Sequence, residues 1–166
     1  MNEKIARGLY CLLGKHLPVS RRFRLGQRLR VFWARQMGCE IGIDVNIESS
    51  AEFDGSLSLG DRLSVGVDAQ AYGPVNSGRN VMMGPECCIL TRNHKHERTD
   101  APMIDQGYKD FQPVTIGDDV WIGHRVIILP GISIGVRWSP RMWSPTVLLA
   151  AFRHNLSRSV GNRLAW

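Results

Sequence analysis

The sequence lacks an apolar run on the scale of a bilayer-crossing helix, about 18 residues, so no transmembrane helix is expected. Its start, Met-Asn-Glu-Lys, lacks the charged, apolar and small-residue succession of a secretory leader. Its four cysteines, Cys11, Cys39, Cys87 and Cys88, form no CxxC pair. Reduced thiols in a cytoplasmic protein are the expectation that follows. Acidic side chains are absent after Gly135, although residues 136–166 carry five arginines. Over the middle of the chain the apolar pattern has neither the 3.6-residue period of a helix nor the simple alternation of a strand.

The middle has a period of six instead. From Ile41 the residues in phase are Ile41, Ile47, Phe53, Leu59, Val65, Ala71, Ser77, Met83 and Ile89, and after a gap Ile116, Ile122, Ile128 and Ile134. Glycine follows the in-phase residue in eight of these thirteen hexads, as at Gly42, Gly60, Gly66, Gly78, Gly84, Gly117, Gly123 and Gly135. A second small or apolar residue stands four places on, as at Val45, Ala51, Leu63, Val81, Cys87 and Val126. Such regularity defines an architecture. Three short strands per coil make a triangular prism, with the in-phase side chain inside and packed on its copies above and below. This is the hexapeptide pattern of a left-handed parallel β-helix, an all-β solenoid. The glycine suits a corner where a side chain would crowd the turn or where φ is positive.

Charge divides the chain in three. Residues 1–40 hold nine Lys/Arg and two Glu, residues 41–135 seven Lys/Arg and thirteen Asp/Glu, and the tail only its five arginines. An acidic repeat body argues against a nucleic-acid groove along the solenoid. The expected domain plan is therefore a basic N-terminal helical cap at 1–38, the β-helix at 39–135 and an atypical basic, Trp-rich tail at 136–166. In the cap, residues 3–15 read as an amphipathic helix with Ile5, Leu9, Leu12 and Leu13 on its apolar face. Pro18 ends it, Ser20 is a candidate cap, and a second helix at 21–37 would place Leu25, Leu29, Phe32 and Trp33 on its apolar face. These helices are expected to cover the first coil with a solvated basic face; the alternative is weak contact with a membrane surface.

The period breaks between Ile89 and Ile116, twenty-seven residues apart and so not a multiple of six. The intervening loop, 91–113, is polar and holds His94 and His96. A long insertion without its own apolar periodicity points to function or disorder. Leaving a rigid solenoid, it can reach a neighbouring subunit.

Two stretches carry a more specific signal. Gly78-Arg-Asn-Val-Met-Met-Gly-Pro-Glu-Cys-Cys-Ile-Leu-Thr-Arg-Asn-His94 and Val114-Thr-Ile-Gly-Asp-Asp-Val-Trp-Ile-Gly-His-Arg-Val-Ile-Ile-Leu-Pro-Gly131 resemble the hexapeptide-repeat acyltransferases. The likeness is to the maltose, galactoside and polysaccharide O-acetyltransferases and covers roughly residues 40–135. It implies a homotrimer, acetyl-CoA held in a groove between adjacent prisms, no metal, and a sugar or polysaccharide precursor as acceptor. It also implies that His94 is the catalytic base, with Asn93 beside it on the acceptor side. An alcohol must lose its proton as it attacks a thioester carbonyl, and imidazole is the side chain suited to take it near neutral pH. Glu86 or a backbone carbonyl is a candidate to orient His94. Trp121 either lines the cofactor groove or packs at a corner. Gly123 and His124 are assigned to the cofactor, His124 standing where the family usually has a small residue.

His124 raises a rival within the same fold. The γ-class zinc carbonic anhydrases are similar trimers with a Gly-His followed five residues later by a second histidine. Here that place is Leu129, one ligand short of the three that catalytic zinc requires.

After Gly135 the repeat stops in mid-hexad. The resembled family continues with another coil, a Gly-Gly-x-Pro-Ala turn and a helix. A one-base shift over Leu149–His154 permits Gly-Gly-Val-Pro-Ala, so the tail reads as translated out of frame, the alternative being a genuine divergent tail. The functional alternative is therefore a β-helix subunit with impaired or no catalysis, since the lost segment would complete the cofactor groove.

Overall fold

The structure, a computed structural model, describes residues 2–135; the atypical tail lies outside them. Thirteen strands of two or three residues form three parallel sheets, the faces of a left-handed triangular solenoid. The first face stacks β1 (Glu40–Ile41), β4 (Leu57–Leu59), β7 (Val75–Ser77), β10 (Val114–Ile116) and β13 (Ser133–Ile134). The second stacks β2 (Asn46–Ile47), β5 (Ser64–Val65), β8 (Met82–Met83) and β11 (Trp121–Ile122). The third stacks β3 (Glu52–Phe53), β6 (Gln70–Tyr72), β9 (Cys88–Leu90) and β12 (Ile127–Ile128).

In-phase side chains form one inward ladder per face. Ile47 aligns with Val65, and Met83 with Ile122. Phe53 aligns with Ala71, Ala71 with Ile89 and Ile89 with Ile128. On the first face the ladder runs Ile41, Leu59, Ser77, Ile116, Ile134. Burying each large aliphatic rung contributes about 1.5–3 kcal/mol. Ser77 is the polar rung, and its hydroxyl is buried with no hydrogen-bond partner among the described residues. The second apolar position of the hexad fills the corners, with Val45, Ala51, Leu63, Val81, Cys87 and Val126 all buried.

The glycine of the hexad answers to crowding. A Cβ on Gly84 would sit 2.7 Å from the carbonyl carbon of Gly123 in the next coil, and one on Gly78 would sit 2.8 Å from that of Gly117. Positive φ falls two residues later, on Asp44, Arg62, Asp68, Asn80, Glu86, Asp119 and Arg125. Of the two reasons offered by the sequence, close coil-to-coil approach applies at Gly42, Gly60, Gly66, Gly78 and Gly84, whereas Gly123 is uncrowded and Gly135 has φ of +63°.

The gap in the period does not disturb the solenoid. Glu40, Ser58 and Asn76 align at intervals of eighteen residues, one coil each. Asn76 then aligns with Thr115, an interval of thirty-nine, which is one coil and twenty-one residues more. Leu90 still aligns with Tyr72, and Val114 with Val75. The excursion is therefore 92–112, and the coil closes around it in unchanged register.

The cap is two helices: α1 (Glu3–Leu9), continued by a π-turn at Tyr10–Gly14, and α2 (Arg24–Gln36). Their inward faces differ from the sequence expectation. Ala6, Tyr10 and Gly14 of the first helix and Gly26, Arg30 and Ala34 of the second are buried, while Ile5, Leu12, Leu13, Leu25 and Phe32 are exposed. The reason is space and polarity. Small residues are buried within the cap, where a Cβ on Gly14 would sit 3.3 Å from Trp33 of α2 and one on Gly26 would sit 3.4 Å from Leu17. The Tyr10 ring reaches in to meet Phe53, with ring centres 5.0 Å apart, while its hydroxyl donates to the Ala51 carbonyl. Arg30 donates to the carbonyls of Leu17 and Pro18 in the interhelical turn and to that of Ile47 in the prism. Glu48 lies 3.8 Å from the same guanidinium. Ser20 does not cap α2, which starts after Phe23. It donates to Asn46 and receives a bond from Arg30 instead. No helix among the described residues is long and apolar enough to cross a membrane.

Candidate active site

The excursion leaves the corner between the third and first faces as an antiparallel ribbon. Its neck is closed by the Gln112 amide donating to Thr91 (2.7 Å), the Lys109 amide to Asn93 (2.8 Å) and the Lys95 amide to Gly107 (2.9 Å). The Thr91 hydroxyl ties the neck to the coil below through the Tyr72 carbonyl (2.5 Å). Gly73 has φ of +91°, and a Cβ there would sit 2.7 Å from the Phe111 ring, so the coil below needs glycine for Phe111 to lie over it. Further out, Gln106 spans the ribbon to the backbone of Arg98 and Ala101. Lys109 pairs with Glu97 at 2.5 Å and, with backbone amides, holds that carboxyl down at about 2.

His94 stands opposite Tyr108 in this ribbon, with ring centres 4.1 Å apart. The other partner of Tyr108 is Arg92, whose guanidinium carbon lies 4.2 Å from its ring centre and 4.7 Å from that of Phe111. His94 is exposed, and neither of its ring nitrogens is hydrogen-bonded among the described residues. Stacking fixes the plane of the imidazole while leaving a nitrogen able to take a proton. Asn93 is exposed beside it, its carbonyl engaged by Lys109. His96 turns its Nδ1 to the carbonyl of His94, 3.3 Å away. Neither Tyr108 nor Arg92 stood out in the sequence, because Tyr108 meets His94 and Arg92 only through a strand return, fourteen and sixteen residues on.

The other sequence candidates lie elsewhere on the prism. Trp121 is on β11, in the second face, with about half its side chain exposed. Gly123 and His124 follow at the corner between the second and third faces. A Cβ on Gly123 would find only Val126, at 3.9 Å, so this corner is open. Gly123 accepts the Cys87 thiol through its carbonyl, and burial pushes that thiol above its ordinary range. Glu86 does not reach toward His94. It accepts from Arg125 at 2.7 Å and lies 3.6 Å from the His124 ring, and the Arg125 contact lowers its carboxyl below the usual range. Among the described residues no three His, Cys, Asp or Glu side chains converge as metal ligands.

The two groups are held apart within one chain. The ribbon leaves one corner of the triangle, and the face carrying Trp121 is the side opposite that corner. His94 is three residues past the corner, a reach of about 10 Å at most.

No family model matches the chain. A probable acetyltransferase of Mycobacterium tuberculosis is 37% identical over 84 residues, covering 49% of this chain and 28% of that protein. An Escherichia coli protein, named for acetyl transfer in colanic acid biosynthesis, is 29% identical over 112 residues, covering 65% of this chain and 58% of that protein. The chain thus spans well under two thirds of either relative. Among solved structures, a maltose O-acetyltransferase from Clostridium difficile superposes with a TM-score of 0.61 at 27% identity, over 79% of this chain and 67% of that one. A hexapeptide-repeat acetyltransferase from Vibrio cholerae, complexed with acetyl-coenzyme A, superposes with a TM-score of 0.61 at 20% identity, over 80% of this chain and 69% of that one.

The described body is a left-handed parallel β-helix of the hexapeptide-repeat kind. In sequence and in fold, the chain is similar to the hexapeptide-repeat acetyltransferases.

Proposed function

We propose that the protein transfers an acetyl group from acetyl-CoA to a hydroxyl of a sugar or polysaccharide precursor, at a site shared between copies of the chain in a homotrimer. The observation that carries this reading is the separation of His94 from the face bearing Trp121, which ends at the corner holding Gly123 and His124. A shared site needs the ribbon of one copy to meet the second face of another. The acetyltransferase names of the relatives supply the reaction, and the acetyl-CoA complex of a neighbour of the same fold supports the donor.

In this reading His94 takes the proton of the acceptor hydroxyl as its oxygen attacks the thioester carbonyl. The C–S bond of the tetrahedral intermediate then breaks, and the imidazolium returns the proton to the departing CoA thiolate. Tyr108 fixes the plane of the imidazole, and Asn93 lies where it can contact the acceptor. On the facing copy Trp121 offers a flat wall, and the open corner at Gly123 leaves room for an extended cofactor beside His124. Both substrates in one site make a covalent enzyme intermediate unnecessary, and positioning supplies much of the rate. The reaction belongs in the cytoplasm, where acetyl-CoA is present.

The test is acetyl-CoA turnover with an oligosaccharide panel, followed by thiol release. His94→Ala should lower kcat by about 10²–10⁴-fold with the trimer intact by light scattering. Full activity in that variant would remove His94 from the chemistry. The change of composition after Gly135 motivates the second reading, a non-catalytic subunit: a stable trimer that neither binds nor turns over acetyl-CoA would establish it.

A further inference from the structure

We propose that the outward face of the helical cap docks on an anionic lipid surface. The two cap helices bury their small residues and Arg30, and this leaves several of their large apolar side chains exposed. On the first helix Ile5 and Leu12 stand at i and i+7 on the outward line, with Leu13 beside them; Leu12 is 74% exposed. On α2 the outward line is Leu25, Arg28 and Phe32, spaced i, i+3 and i+7, and Phe32 is 49% exposed. A run of large apolar groups on two packed helices marks an interaction surface.

Charge selects the occupant. Lys4, Arg7, Arg21, Arg22, Arg24 and Arg28 are all exposed, and none is in an ion pair among the described residues. Glu3 is the one acid before Glu40. Outward apolar groups flanked by cations are the pattern of a helix lying in the headgroup boundary, its apolar face in the acyl region and its arginines on lipid phosphates. A second copy of the same face would bring six cations against six and is disfavoured by the same charges. The prism beyond the cap carries the opposite charge and is repelled from such a surface, which orients the molecule cap-down.

The experiment is flotation of the full chain with vesicles of phosphatidylglycerol and phosphatidylcholine, against vesicles of phosphatidylcholine alone. The expected result is flotation with the anionic vesicles, lost in high salt, and none with the neutral ones. Neutralising Arg22 and Arg28 together (Arg22→Gln, Arg28→Gln) should weaken partition roughly fivefold for each arginine. Leu12→Ser with Ile5→Ser should abolish flotation while leaving the thermal melt nearly unchanged, because both side chains are mostly exposed. Three results overturn the proposal. The first is no flotation at low salt. The second is anionic-vesicle binding that survives both pairs of substitutions, which assigns it to another part of the chain. The third is a change of assembly state on Leu12→Ser, which makes the face a contact between copies.

Discussion

The prism and its cap solve opposite packing problems. In the prism the large aliphatic residues go in, the glycines sit where coils touch, and the charges stay on the outer surface. In the cap the small residues go in, the one fully buried large polar side chain is an arginine, and leucine and phenylalanine face out. The prism is held by repetition, many similar rungs each contributing a little. The cap is held by a few contacts unlike one another: the ring and hydroxyl of Tyr10, the guanidinium of Arg30 and the carboxylate of Glu48. A repeat tolerates a weak rung, as Ser77 shows, whereas the cap concentrates its attachment in a few side chains.

That contrast can be broken most sharply at Arg30. Arg30→Ala removes the donors for the Leu17, Pro18 and Ile47 carbonyls and leaves Glu48 without its cation. A loss of about 3–5 kcal/mol is expected, as for one partner of a buried pair. Urea unfolding should show it, with early proteolysis confined to residues before Cys39. Next comes Gly84→Val, which tests repetition at its tightest point. The new side chain meets the backbone of Gly123, and about 1–3 kcal/mol should be lost through overpacking. A variant as stable as the parent would show that coil-to-coil approach does not require glycine there.

Ser77→Val sharpens the comparison in the other direction. It replaces an unpartnered buried hydroxyl by a rung that fits between Leu59 and Ile116. Unfolding free energy should rise by about 1 kcal/mol or more. The smallest effect near neutral pH belongs to Cys39, at the junction of the two regions. Burial pushes its thiol from 9.0 up to about 11. A raised thiol pKa favours the protonated form in the folded state. Its contribution is therefore fully present below pH 9 and is lost as the pH rises from 9 to 11. The decline should be on the order of 1 kcal/mol per pH unit. It should be absent from Cys39→Ala, measured as the difference between the two proteins across that range.

How much of this was legible in the sequence follows from the same contrast. The solenoid was, because each hexad repeats the same evidence and thirteen of them agree in phase. The boundaries of the cap helices were legible to within a few residues, but their buried faces were not. Hydrophobicity alone assigns Leu12 and Phe32 to the interior. The buried positions of the cap hold Ala6, Gly26 and Ala34, and among the described residues Arg30 supplies the donor for the Leu17 and Pro18 carbonyls of the turn. At the candidate site His94 was found through motif resemblance. Its stacking on Tyr108 was not, since that contact depends on where the ribbon turns back. Glu86 was misread for a similar reason, because its partner Arg125 lies one coil and one excursion away.

The unchanged register on either side of residues 92–112 has a consequence for how such a molecule can vary. The coil closes on itself whether or not twenty-one residues are spliced into its corner. The insert needs only a neck as narrow as one strand spacing, supplied by Thr91 and Gln112. The prism meets the insert only near its base, where Phe111 lies over Gly73 and the Gly131 amide donates to the Gln112 carbonyl. The ribbon is thus a replaceable bit on a fixed shaft. Beyond that base it can be lengthened or exchanged without re-cutting the core, while the scaffold beneath it stays still.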